Sequence, residues 1–127
     1  MKNPVGKTIL VIEDNEVIIE LMERNLGRAG YRVVGCSNSR DYRDYCLRDK
    51  PDLIILDILM PVKSGWEILE ELKRDEETKS IPVIISSVKS RQEDVNLGLQ
   101  MGAVDFISKP YVFVDLLEKI AKHIGKS

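Results

Sequence analysis

No apolar run in this chain approaches the ~18 residues that span a bilayer, and residues 1–6 lack the apolar core of a signal peptide. Charge of one sign is also lacking. The 19 basic and 21 acidic residues leave a formal net charge of −2, which gives no electrostatic case for direct nucleic-acid or anionic-membrane binding. The two cysteines, Cys36 and Cys46, match no metal or redox spacing, so two free thiols in a reducing cytoplasm are expected. No low-complexity segment or linker interrupts the 127 residues. One domain is therefore expected over 1–127, with its core at about 7–124.

What the chain does have is a set of short apolar runs bounded by polar or turn residues. They are Ile9-Leu10-Val11-Ile12, Val33-Val34, Leu53-Ile54-Ile55-Leu56, Val83-Ile84-Ile85 and the weaker Phe106-Ile107. None alternates apolar with polar as a one-sided sheet does, and continuous runs suit parallel strands covered on both faces. Between them the period becomes helical. Ile18, Leu21, Met22, Asn25, Leu26 and Ala29 form one stripe before Gly30. Tyr42, Tyr45, Cys46 and Asp49 mark a second helix ended before Pro51, and Trp66, Leu69 and Leu72 a third with Ser64 as its N-cap. Val95, Leu99 and Gly102 suggest a fourth, while Phe113, Leu116, Leu117, Ile120, Ala121 and Ile124 give a clear fifth. Five βα units in so short a chain predict an α/β, flavodoxin-like doubly wound sheet of order 2-1-3-4-5.

In such a sheet the ligand crevice lies beyond the strands' C-terminal ends, where strand order reverses. Those ends carry Glu13-Asp14 on the first strand and Asp57 on the third. Three like charges in one crevice repel and raise one another's pKa values, so a positive group should accompany them. A hard divalent cation such as Mg²⁺ accepts such oxygen ligands. Lys109, ending the fifth strand, adds an ammonium, and Ser86 and Ser87, ending the fourth, add hydroxyls. A carboxylate nucleophile, a cation, a hydroxyl and an ammonium together suit phosphoryl transfer onto Asp57. The one histidine, His123, falls in the last helical turn, and an ionised carboxylate needs no general base.

These residues resemble a known family, the response-regulator receiver domain of two-component signalling, chemotaxis-regulator type. The matching pieces are Ile9 to Asn15, Leu53 to Pro61 with Gly65, Pro82 to Ser87 and Gly102 to Pro110, in order and at family spacing. The resemblance implies that Asp57 becomes a 4-aspartylphosphate, receiving its phosphoryl from a histidine kinase or a histidine phosphotransfer protein of a phosphorelay. It implies Mg²⁺ held by Asp14 and Asp57, by Glu13 directly or through water, and by the backbone carbonyl of Leu59. Ser87 rather than Ser86 matches the switch hydroxyl, Phe106 the switch aromatic and Lys109 the family lysine, with a cis Lys109-Pro110 bond. Phosphorylation adds charge and acceptor oxygens. Ser87 then moves towards them, Phe106 takes the vacated space, and the surface of the fourth helix, fifth strand and fifth helix is read by a downstream protein. A monomer or a phosphorylation-linked dimer fits this scheme.

Some positions depart from the family pattern. Glu13 stands where a second Asp is common, and Val88 where a small residue is common. Leu59 and Lys89 flank the place where dephosphorylation is tuned, and Leu59 has no polar group to orient water, so a long-lived phosphoryl group is expected. An enzyme is not expected. A haloacid-dehalogenase-like phosphatase would carry a second Asp at the position of Leu59, and a flavodoxin-like cofactor binder would not place Glu13-Asp14-Asn15-Glu16 against phosphate. A receiver-like interaction module that is never phosphorylated is the remaining rival. Arg40 to Asp44 is expected to be a solvated helix face, and Leu97 with Met101 a face outside the core stripe.

Overall fold

Five parallel strands form one sheet in the order β2-β1-β3-β4-β5. In a computed structural model, residues 6–88 and 91–125 are described. Strands and helices alternate: β1 (Thr8–Ile12), α1 (Glu16–Arg28), β2 (Arg32–Cys36), α2 (Tyr42–Asp49), β3 (Leu53–Asp57), α3 (Gly65–Arg74), β4 (Val83–Ser87), α4 (Gln92–Gln100), β5 (Asp105–Ser108) and α5 (Phe113–Ile124). The expected doubly wound sheet and its strand order are both present. No helix among the described residues is long and apolar enough to cross a membrane.

The continuous apolar runs are explained by a core on each side of the sheet. Leu10, Ile12, Ile54, Leu56, Val83, Ile85 and Phe106 pack on one face with α3 and with Cys46 of α2. Ile9, Val11, Leu53, Ile55, Ile84 and Ile107 pack on the other with α1 and α5. β3 and β4 are buried along their whole length, as central strands between two layers must be.

Local signals set the helix boundaries. Asn15 caps α1 by accepting from the Val17 N–H, and Gly30 follows α1 at φ 98. Ser64 caps α3 in a reciprocal box with Glu67, which satisfies two otherwise orphaned N–H groups. α2 ends on Lys50 in the left-handed region, one residue before Pro51. Burial raises the pKa of both thiols, Cys46 to about 11, so they are held protonated in the core.

Two helix faces differ from the sequence reading. The inward residues of α1 are Ile19, Met22 and Leu26, whereas Leu21 is 47% exposed and Ala29 faces solvent. Adjacent Ile18 and Ile19 allow two helical phases, and packing against Gly35 of β2 selects Ile19. In α4, Leu99 is 45% exposed and the one buried residue is Gly98. A Cβ on Gly98 would lie 2.5 Å from Ile85 Cδ1, so α4 approaches the sheet through its glycine rather than through a leucine stripe. Leu97 is exposed as expected, but Met101 packs partly against the core. Within 40–44 the charged residues are solvated and Tyr42 turns inward.

Candidate functional site

The strand register brings the acidic residues together. Ile12 pairs with Leu56 and Asp57 with Ser86, so the ends of β1, β3 and β4 lie side by side. One carboxylate oxygen from each of Glu13, Asp14 and Asp57 lies within 4.8 Å of the others. Glu13 and Asp57 are buried, at 4% and 5% exposure, and Asp14 faces solvent. Such a set of anionic oxygens, two walled off and one open to solvent, fits a hard divalent cation that keeps part of its water shell.

Lys109 reaches this group from the end of β5. Its Nζ donates to Glu13 Oε1 at 2.7 Å and lies 3.6 Å from Asp57 Oδ1. Its backbone N–H donates to the Ser87 carbonyl at 2.8 Å, which anchors the lysine to β4, and the Lys109-Pro110 peptide is cis as expected. Glu13 shows what assembling the cluster costs. Burial pushes its pKa up and the Asp57 charge adds to the rise, while the hydrogen bond and charge of Lys109 and the Asn15 N–H oppose it.

Asp57 is fixed by its own loop. The Leu59 N–H donates to Asp57 Oδ1 at 3.2 Å, and the Gly65 N–H donates to the Ile58 carbonyl at 2.9 Å. Gly65 is required there, because a Cβ would lie 2.3 Å from the Asp57 carbonyl oxygen. The intervening residues carry strain, since Val62 has φ 70, a left-handed value that a β-branched side chain rarely adopts. Side-chain bonds hold the loop in place. Ser39 Oγ donates to the Pro61 carbonyl, and Lys63 Nζ donates to both Glu71 oxygens at 3.0 and 2.9 Å. The Tyr42 hydroxyl donates to the same Glu71 carboxylate. Sequence reading missed this Tyr42–Glu71–Lys63 tie. Its members lie on a helix, another helix and a loop, and no spacing rule connects them.

The other candidates divide between the two faces of the sheet. Ser87 and Phe106 are buried on the α3 and α4 side, and Phe106 lies under α4, its Cδ2 3.6 Å from where a Cβ on Gly98 would stand. Ser86 is buried on the opposite side. Leu59 is 47% exposed and Val88 is also exposed, beside the site, so neither side chain closes it. Lys89 lies outside the described residues. Trp66 packs partly against the core, in keeping with a helix-packing role.

Comparison with known proteins places residues 9–121 on a family model described as the response regulator receiver domain. The phosphate regulon transcriptional regulatory protein PhoB of Pseudomonas aeruginosa is 38% identical over 116 residues, covering 91% of this chain and 51% of that protein. The receiver domain of a signal transduction histidine kinase from Syntrophus aciditrophicus is 33% identical, with a TM-score of 0.84 over 94% of this chain and 90% of that one. The Vibrio cholerae chemotaxis protein CheY4 has the same fold at a TM-score of 0.86 and 24% identity, covering 93% and 98% of the two chains. The chain spans about half the length of the curated relatives it matches.

Proposed function

The chain belongs to the response regulator receiver family, and we propose on that footing that Asp57 is its phosphoacceptor, charged by a histidine kinase or a histidine phosphotransfer protein. Receivers of this family are signalling domains that work with histidine kinases and downstream effectors. The observation that carries the proposal is the convergence of Glu13, Asp14 and Asp57 at one crevice with the Lys109 ammonium 3.6 Å from Asp57 Oδ1.

An Asp57 carboxylate oxygen forms a bond to phosphorus as the donor's P–N bond breaks. The electron pair leaves on the imidazole nitrogen, which takes a proton and becomes neutral histidine. Lys109, already beside Asp57, neutralises phosphoryl oxygens as charge moves onto them. Mg²⁺, with Glu13, Asp14, Asp57 and the Leu59 carbonyl as its protein ligands, would supply further positive charge to those oxygens. Hydrolysis reverses the gain: a water oxygen bonds to phosphorus, the P–O bond of the Asp57 acyl phosphate breaks, inorganic phosphate leaves with the water's proton released, and the carboxylate returns. The chain's own catalysis is limited to these two transfers.

Ser87 is the switch hydroxyl and Phe106 the switch aromatic in this reading. Both are buried on the α4 side of the sheet, so a move of Ser87 towards phosphate frees room that Phe106 can fill. That repacking alters the face made by α4, β5 and α5, where Leu97 and Leu99 are exposed and an open groove of about 660 Å³ runs along β5 and α5. A downstream protein reads this face, and the domain acts in the cytoplasm as a monomer or as a phosphorylation-linked dimer. It contacts neither nucleic acid nor membrane directly.

The test is intact mass after incubation with acetyl phosphate, with and without Mg²⁺. One phosphoryl group should add to the protein only with Mg²⁺ and not to Asp57→Asn. No adduct from a small donor or from any cognate kinase overturns the proposal.

A further inference from the structure

Ser86 remains outside the scheme above, although it stands in the middle of the site. Alternate residues of β4 face alternate cores: Val83 and Ile85 on the α3 side, Ile84 on the α1 and α5 side. Ser86 therefore shares the side of Ile84. By the same alternation Asp57 shares the side of Ile55, Glu13 that of Val11 and Lys109 that of Ile107. Ser86 pairs with Asp57 across β3 and β4, one strand spacing of about 4.8 Å.

The path of Lys109 explains why this matters. β4 and β3 separate β5 from β1 in the sheet, yet Lys109 Nζ bonds Glu13 at the end of β1. Its arm must cross the end of β4, where Ser86 is 1% exposed. The Ser86 Oγ is fully buried and has no hydrogen-bond partner among the described residues. A buried hydroxyl left without a partner is costly, and the strand residues before it, Val83, Ile84 and Ile85, are all apolar.

We propose that Ser86 is a positioning residue that gives the Lys109 ammonium a second acceptor once a divalent cation competes for Glu13. The inference rests on the cation-assisted phosphoacceptor reading. Lys109 and a dication cannot both approach the same Glu13 oxygen without repulsion, so cation binding drives the ammonium back towards Asp57. That retreat brings Nζ over β4, where a Ser86 Oγ lone pair can accept one of its three N–H groups. The hydroxyl is unsatisfied while Lys109 bonds Glu13 and satisfied when the cation is bound.

Mg²⁺ titration calorimetry and thermal melting test this on the full chain. Ser86→Ala should raise the melting temperature without Mg²⁺, because an unpaired buried hydroxyl is gone. It should also weaken Mg²⁺ binding about three- to tenfold, the loss of roughly one hydrogen bond. Ser86→Thr, which keeps the hydroxyl, should restore the affinity. In a Lys109→Met background Ser86→Ala should leave Mg²⁺ affinity unchanged, since the effect acts through the ammonium. A higher melting temperature with unaltered Mg²⁺ affinity overturns the proposal and makes Ser86 a tolerated packing residue. Equal losses in both backgrounds overturn it too. Wild-type protein that binds no Mg²⁺ overturns the cation reading itself, which separates the two failures.

Discussion

Lys109 Nζ lies 2.7 Å from Glu13 Oε1, which joins β5 to β1 across two intervening strands. The pair is largely shielded, with side-chain exposures of 14% and 5%. Removing the ammonium leaves Glu13 and Asp57 facing each other without compensation. Lys109→Met is expected to cost about 1.5–3 kcal/mol in Mg²⁺-free buffer, as for a hydrogen bond to a charged group. Mg²⁺ should then stabilise the variant more than the wild type, because the cation takes over the missing charge. Urea unfolding with and without Mg²⁺ measures both effects.

Gly65 fixes the height of the β3–α3 loop against Asp57. A Cβ there meets backbone, the Asp57 carbonyl oxygen at 2.3 Å and Ile58 Cα at 2.5 Å, and backbone cannot rotate away. Gly65→Ala should destabilise by about 1–3 kcal/mol. It should also reduce phosphorylation by acetyl phosphate even in the folded fraction, because the strand end carrying Asp57 must shift. Full phosphorylation in the folded variant would show that the loop has slack.

Much of this site was legible in the sequence because strand ends in a parallel sheet are fixed by where apolar runs stop. Glu13 and Asp57 follow directly on such a run, and Ser87 and Lys109 each stand two residues past the end of one, so strand order brings them together. Helix faces were less legible. The Ile18-Ile19 pair leaves the phase of α1 ambiguous, and only contact with Gly35 selects Ile19. The inward face of α4 is Gly98, which no hydrophobic pattern can reveal. Pairings that cross elements, such as Lys109 with Glu13 or Tyr42 with Glu71, need the register before they can be seen.

Leu59 is exposed beside Asp57 and offers nothing to hold a water molecule. Leu59→Asn supplies an amide that can orient the attacking water, while the backbone carbonyl is retained. The phosphoryl lifetime should fall about tenfold, less than the ~10²–10⁴-fold that a fully positioned acid–base group contributes. Decay of the phosphorylated mass in Mg²⁺ buffer gives the lifetime. An unchanged lifetime would mean that water is positioned elsewhere.

Asp105 opens β5 and is held by α5. Burial alone would raise its pKa, but the His123 ring, the Phe106 N–H and the Lys119 ammonium together hold it below the usual 3.8. His123 Nε2 and Lys119 Nζ each lie 3.0 Å from an Asp105 oxygen. A carboxyl with a depressed folded pKa adds stability above its unfolded value and loses it as pH falls through the folded one. Asp105→Asn should therefore cost about 1 kcal/mol at neutral pH, a magnitude suited to partly exposed partners. Its deficit should shrink as pH falls below 3.8. Urea midpoints of both proteins across that range give the comparison.

The position of the phosphoryl group tests the central claim most directly. Protein treated with acetyl phosphate and Mg²⁺ is reduced with borohydride, which converts an aspartyl phosphate to homoserine, and peptide masses then locate the change. The account predicts homoserine at position 57 and nowhere else. Modification at Glu13, Asp14 or another carboxylate, with Asp57 untouched, would contradict it.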